Sequence, residues 1–172
     1  MIGVILLVPL ILTRYVLLYI VDKTAFRCAA FFPPVEKGEK AAIVVYQISA
    51  LLFVIYLCFL RVVSEAPWFI SGLAVFGLGI LLCLVSTLNY ARPKGNGINV
   101  SGIYAVSRNP MYIAYFVYFL GCVLLTRSLL LFLILVILQV TTHWMIKSEE
   151  RWCVNQFGDE YREYMKRVRR YF

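Results

Sequence analysis

Histidine occurs once in this chain, and its five cysteines never fall into a paired spacing. Those two shortages speak against a zinc centre, which draws on clustered Cys and His. Cys28, Cys58, Cys83, Cys122 and Cys153 are scattered, mostly inside apolar runs, and read as small hydrophobes rather than disulfide partners. Charge is scarce as well, at 15% of the 172 residues against 62% hydrophobic. A soluble domain carries about a quarter charged residues, so that class is excluded. The first twenty residues lack a basic leader and a small-residue cleavage pattern, and Arg14 interrupts them. A retained first helix is therefore expected rather than a removable signal.

What the chain has in quantity is long apolar runs. A helix needs roughly 20 apolar residues to cross the hydrocarbon core. Such runs lie at about Ile2–Val21, Ala41–Val63 and Trp68–Leu88. Between the first two, "DKTAFRCAAFFPPVEKGEK" holds Pro33-Pro34, which must break a helix, and its aromatic and basic character suits the membrane surface. "RVVSEAP" reads as a short turn, and "NYARPKGNGINVSGIYAVSRN", rich in Gly and Asn, as irregular. From Pro110 to Ile146 the chain is almost wholly apolar. One helix of that length would measure about 55 Å, against a core of about 30 Å. The polar "TRS" at 126–128 is the place to turn back, so Pro110–Leu125 and Ser128–Ile146 form an antiparallel hairpin. The expected fold is all-α: a polytopic integral membrane protein with five transmembrane helices, a C-terminal hairpin and a cytoplasmic amphipathic C-terminal helix. Residues 1–88 form a three-helix membrane region, and residues 89–172 a region that carries the site.

The net charge of +8 is informative by position. With the N-terminus outside, the inner segments hold Lys23, Arg27, Lys37 and Lys40, then Arg92, Lys94 and Arg108, then Lys147, Arg151, Arg162, Lys166, Arg167, Arg169 and Arg170. The outer turns hold only Arg61 and Arg127. That asymmetry obeys the positive-inside rule and puts the C-terminus in the cytoplasm. The bilayer is thus the expected partner of the basic residues, and neither nucleic acid nor metal is expected. In the tail, Tyr161, Tyr164, Met165, Val168 and Phe172 share one helical face, which suits an anionic lipid surface or a lid over a cytoplasmic pocket.

Two places combine polar chemistry with a membrane edge. In "SRNPMY", Asn109 is a favoured N-cap type and Pro110 a favoured first helical residue. The helix beginning there presents N–H groups beside Arg108, a setting that suits a carboxylate or phosphate. At the end of the fifth run, Gln139, Thr141, Thr142 and His143 lead into the carboxylates Glu149 and Glu150. Ionisable groups at a membrane edge are functional candidates. On a helix, Glu149 continues the stripe Leu138–Thr142–Met145, and Glu150 continues Gln139–His143–Ile146. An antiparallel hairpin brings both ends together, so one corner offers positive charge and N–H donors facing carboxylates.

The ordered set "GIYAVSRNPMY", a hairpin, then "EERWCVNQFGDEYREYMKRV" resembles the isoprenylcysteine carboxyl methyltransferases and the related phospholipid methyltransferases, over about Asn89 to Val168. The resemblance implies an integral membrane methyltransferase that uses S-adenosylmethionine on a lipophilic methyl acceptor. By position it implies cofactor contacts from Tyr104, from Asn109, Pro110, Met111 and Tyr112, from Glu149, and from Asn96, Ile98 and Asn99 in the polar break. Arg108 and Glu150 are the expected catalytic pair, with Arg108 orienting the acceptor headgroup. Asn109 agrees with the phospholipid branch and Arg108 with the isoprenylcysteine branch. Ala114 stands for a usual Gly, and Met145 stands where the isoprenylcysteine branch has a substrate-side Arg. Gly77-Leu78-Gly79 echoes a G-x-G of the phospholipid branch, or serves helix packing. Two other classes stay open on the residues alone: a nicotinamide-dependent membrane reductase of sterol-reductase type, and a non-catalytic membrane scaffold.

Overall fold

The computed structural model describes residues 2–29, 33–92 and 98–171. Its helices are α1 (Gly3–Val21), α2 (Lys23–Ala29), α3 (Lys40–Phe59), α4 (Trp68–Tyr90), α5 (Pro110–Thr126), α6 (Leu129–Phe157) and α7 (Asp159–Arg167). Short 3₁₀ turns precede α3 at Lys37–Glu39 and α5 at Gly102–Ala105. Among the described residues the extended chain forms one isolated antiparallel bridge, Ile2 to Arg61, and no strand. Four helical segments are long and apolar enough to cross a bilayer, at Gly3–Val21, Lys37–Phe59, Trp68–Tyr90 and Leu129–Phe157; α5, with 17 residues, is a shorter apolar helix.

The chain is a multi-pass integral membrane protein, and its surface says so. Phe59 is 80% exposed, Ile20 and Leu129 each 73%. Contiguous apolar exposure on that scale is untenable in water and ordinary in lipid. Helix α3 buries a narrow stripe of Ile43, Ser49, Phe53 and Leu57, whereas α6 buries Leu131, Leu135 and Leu138 and then, more broadly, Thr141, Thr142, Met145, Ile146, Ser148 and Glu150. Leu138, Thr142 and Met145 of the stripe expected from the sequence are buried, Glu149 on the same stripe is half-buried, and Ile146 and Glu150 of the neighbouring stripe are buried as well.

Lipid supplies no hydrophobic drive between helices, so close backbone approach does the joining. A Cβ on Gly79 would collide with the Tyr118 backbone, and one on Gly121 with the Phe76 backbone. Gly72 is less tight, with a Cβ there meeting Leu125 at 3.1 Å, whereas Gly77 faces open space. Gly79 is therefore a packing residue between α4 and α5, and the core around it holds Phe53, Phe76, Tyr118 and Cys122. The Tyr118 hydroxyl donates to the Leu6 carbonyl and ties α1 to this core.

The turn at 126–128 forms as its residues dictate. Arg127 takes a left-handed conformation at φ 49°, and Ser128 Oγ accepts the Leu131 N–H at 3.2 Å to start α6. Arg127 also pairs with Glu65 at 2.5 Å. Two elements differ from expectation. The segment after α1 contains a helix, α2, which Asp22 initiates by accepting the N–H groups of Thr24 and Ala25 at 2.6 and 3.0 Å. And α6 does not stop at Ile146 but continues to Phe157, about 43 Å in all, so the glutamates ride on a rigid helix. Gly158, at φ 59°, then reverses the chain into α7. The apolar face of α7 does not lie on lipid: Tyr161 and Tyr164 are buried with Ile98 against Cys153, Val154 and Phe157. Phe172 lies outside the described residues.

These contacts separate two glycine substitutions. Gly121→Ala is expected to destabilise the detergent-solubilised protein by about 1–3 kcal/mol through overpacking. Gly77→Ala, facing open space, is expected to leave thermal unfolding unchanged or slightly raised.

Candidate active site at the start of α5

The corner between the 3₁₀ turn at 102–105, α5 and α6 is built in two layers. Gly102 opens the turn at φ 62°, where a Cβ would strike the Asn89 side chain, so glycine is required there. The turn delivers Tyr104, which is buried, and then Ser107, Arg108 and Asn109. Burial pushes the Tyr104 phenol well above its usual range and keeps it neutral. Its carbonyl accepts the Tyr164 hydroxyl at 2.6 Å, and burial likewise pushes Tyr164 up to about 12.

The outer layer is a knot around Glu150, whose residue surface is 3% exposed. Oε1 accepts from Asn109 Nδ2 at 3.0 Å and pairs with Arg108 Nη2 at 3.2 Å. Oε2 accepts from Arg170 Nε and Nη2 at 3.0 and 2.8 Å. That hydrogen bonding raises the Arg170 pKa above its ordinary value. The chain after α7 then runs as a strap across the corner. Arg108 N–H donates to the Arg169 carbonyl at 3.0 Å, and Ser107 Oγ and Asn109 Nδ2 both donate to the Arg170 carbonyl at 3.2 Å. Tyr171 closes the strap at 3.0 Å from His143 Nδ1. Arg108 and Glu150, the expected catalytic pair, are thus turned toward each other and the strap. Asn109 does not cap α5 either; its side chain is engaged with Glu150, and no side chain caps the helix.

The inner layer faces the bundle. The Tyr112 hydroxyl donates to Glu149 Oε1 at 2.6 Å, joining α5 to α6, and both residues stay partly accessible. Next to them, Met111 is buried and its Sδ accepts from Arg14 Nη1 at 2.9 Å. The Arg14 guanidinium lies 6.0 Å from the centre of the Tyr90 ring. Tyr115 meets Tyr112 edge to face, with centroids 6.5 Å apart. Pro110 is buried at the first position of α5. Asn99 Nδ2 donates to the Tyr90 carbonyl at 3.1 Å, and Ile98 belongs to the α7 core. Asn96 lies outside the described residues.

The structure therefore gathers Tyr104, Asn109, Pro110, Met111, Tyr112 and Glu149 at one corner, and it separates the adjacent glutamates. Glu150 is locked among cations, whereas Glu149 faces tyrosines and a more distant arginine. Sequence reasoning missed Arg14 and Tyr90 as members of this corner. The available signal was the arginine itself, since a charge inside an apolar span is costly without a purpose.

A family model described as phospholipid methyltransferase matches residues 68–160, just over half of the chain, from the start of α4 into α7. The chain belongs to the phospholipid methyltransferase family. No curated protein and no solved structure gives a significant match. Within this membrane methyltransferase the family's matched region holds both glutamates, the α5 start and the hairpin, while α1 with Arg14 and the strap with Arg170 lie outside it.

The Glu150 knot predicts an asymmetric response to mutation. Glu150→Ala leaves Arg108 buried without its carboxylate and is expected to destabilise the fold by about 3–5 kcal/mol. Trypsin should then cleave after Arg169 or Arg170 faster than in the wild type, read by mass spectrometry. Replacing both partners, as Arg108→Met with Glu150→Leu, is expected to recover part of the lost stability.

Proposed function

We propose that the chain is an S-adenosylmethionine-dependent methyltransferase acting on a lipophilic acceptor at the cytoplasmic edge of the bilayer. The observation that carries this reading is the 2.6 Å Tyr112–Glu149 hydrogen bond beside the N-terminus of α5, which no side chain caps. The donor set fits the parts of the cofactor. The α5 N–H groups and positive helix end suit a carboxylate. The Glu149 carboxylate suits an ammonium group or ribose hydroxyls. Tyrosine faces suit a sulfonium cation. In this reading Tyr104, Pro110, Met111, Tyr112 and Glu149 line the pocket, Asn109 joins through its main chain, and Asn96, Ile98 and Asn99 contribute from the polar break.

Alpha-5 is taken as the fifth span, about 25 Å long and accommodated by local thinning of the bilayer. With the N-terminus outside, the Lys- and Arg-rich segments and the site share the cytoplasmic face.

When bound, the cofactor would supply a methyl group already activated as a sulfonium. The residues of this chain then have to align and to dehydrate. Tyr112 fixes the Glu149 carboxylate, so a group held by Glu149 is held in one place. Alignment of this kind turns a bimolecular step into a nearly unimolecular one. The apolar flanks of α5 and α6 exclude water and admit an acceptor sideways from lipid. Arg108 and Glu150 serve as positioning residues: by tying the strap to the 107–109 corner they set the start of α5. Membership of a methyltransferase family supports this reading over a nicotinamide-dependent reductase or a scaffold.

A thermal-shift titration tests it. S-adenosylhomocysteine at 100 times its Kd should stabilise the purified protein by about 2.7 kcal/mol, because a ligand that binds only the folded state raises stability by mass action. Glu149→Ala should abolish the shift while the unliganded protein still unfolds cooperatively. NADPH should give none; a shift with NADPH alone would contradict the proposal.

A further inference from the structure

The chain after α7 is held differently from the helix before it. Val168, which follows α7, is extended at φ −119° and ψ 134°, with its N–H still on the Tyr164 carbonyl at 3.0 Å. Up to that residue the tail is anchored by apolar packing, since Tyr161, Tyr164 and Val168 share a cluster with Ile98 and Phe157. Beyond it, Arg169 is exposed, Arg170 and Tyr171 are half-buried, and none of the three belongs to either apolar cluster. The strap 169–171 is fastened instead by its polar contacts to Ser107, Arg108, Asn109, Glu150 and His143. A segment with so few buried apolar contacts opens locally at low cost while its neighbours stay folded.

The charges at Glu150 point the same way. One carboxylate faces two guanidiniums, Arg108 with a side chain 8% exposed and Arg170 with one 30% exposed. The knot thus holds one cation more than the carboxylate needs. With the strap away, Glu150 keeps Arg108 and Asn109, and Arg108 Nη1 keeps the Met165 carbonyl at 3.2 Å. No buried charge is stranded, so the usual penalty for removing one partner of a buried pair does not arise. The closed strap also carries a cost of its own. Arg108 Nε is buried without an acceptor among the described residues, and opening admits water to it.

We propose that residues 169–171 are a gate: the strap swings about Val168 while α7 stays docked, and a water-soluble ligand reaches the Tyr112–Glu149 pair through that opening. A charged ligand has no path through lipid. Its path from water to the start of α5 crosses residues 107–109, which the closed strap covers: Ser107 is 2% exposed where its hydroxyl meets the Arg170 carbonyl, and Asn109 8%. The strap lies outside residues 68–160, so the gate is added to the matched family region rather than contained in it. Naming the ligand as S-adenosylmethionine rests on the methyltransferase reading; the opening itself does not.

The test uses the full chain in dodecyl maltoside carrying Ser107→Cys, which puts a thiol where the strap covers a hydroxyl. Reaction of that thiol with a charged, water-soluble thiosulfonate is followed by mass spectrometry, alongside hydrogen exchange of α7. Arg170→Gln in the same background should speed labelling at position 107 by about tenfold, with α7 exchange and cooperative unfolding unchanged. Arg170→Lys, which keeps the charge but not the paired N–H donors, should fall between the two. In stopped-flow binding without the cysteine, the rate for S-adenosylhomocysteine should level off at the opening rate in the wild type. Arg170→Gln should raise that ceiling and the dissociation rate together. Labelling unchanged by Arg170→Gln would overturn the proposal. So would labelling that rises only with exchange throughout α7, because the tail would then leave as one piece. Faster labelling with unchanged S-adenosylhomocysteine kinetics would overturn the gate and leave the methyltransferase reading standing. Labelling as expected with no S-adenosylhomocysteine binding would support the opening strap and contradict the cofactor reading instead. If Ser107→Cys does not fold, hydrogen exchange at the Arg108 N–H, which the Arg169 carbonyl covers at 3.0 Å, gives the same readout.

Discussion

One buried carboxylate sets the geometry of the corner where α5 begins beside α6. Glu150 has both oxygens engaged, by Arg108 and Asn109 on one side and by Arg170 on the other. A carboxylate taken out of water is tolerated only when such partners surround it. Once those partners are gathered, much else follows. The 107–109 corner is fixed against α6, the chain after α7 is drawn across it as a strap, and α5 must start beside the exposed end of α6. Glu149, one residue earlier and about 100° around the helix, is thereby turned into the bundle to meet Tyr112.

Much of this architecture was legible because membrane helices obey few rules. Length and hydropathy located the spans to within a few residues, and the polar 126–128 triplet located the reversal, since a helix of 37 apolar residues has no place in a 30 Å core. Period marked Leu138, Thr142 and Met145 as inward on α6, though Ile146 and Glu150 of the neighbouring stripe are buried too. The meeting of the α5 start with the glutamates followed from antiparallel connection alone. What sequence did not reveal depends on partners distant in the chain. A cap residue such as Asn109 signals a helix start, but its amide goes where the strongest acceptor lies, and Glu150 with the Arg170 carbonyl outcompetes the α5 backbone. Likewise the face of Tyr161 and Tyr164 was visible as apolar, yet periodicity cannot distinguish lipid from Ile98 and Phe157 as its cover.

The roles of the neighbouring glutamates illustrate the same limit. Their identities and their spacing are equivalent on paper. Only the strap, arriving from twenty residues further on, closes a second arginine onto Glu150, while Glu149 stays partly accessible beside tyrosine. Arg14 extends the point to α1. The sequence shows it only as an interruption of the first apolar run, and its meeting with Met111 Sδ, 97 residues further along the chain, is visible only in the fold. The corner is thus assembled from two sources: the family's matched region supplies Tyr104, Asn109, Tyr112 and both glutamates, and segments outside it, α1 and the strap, add Arg14 and Arg170.

The most direct single measurement is methyl transfer itself. Membranes carrying the full chain are incubated with S-adenosylmethionine labelled in its methyl group, and label is counted in the organic phase after extraction. Label should accumulate there with the wild type and fall to background with Glu149→Ala at equal protein level. Undiminished label with Glu149→Ala, or none above background with a folded wild type in membranes containing both anionic and zwitterionic lipids, would contradict the assignment of this corner as the methyl-transfer site.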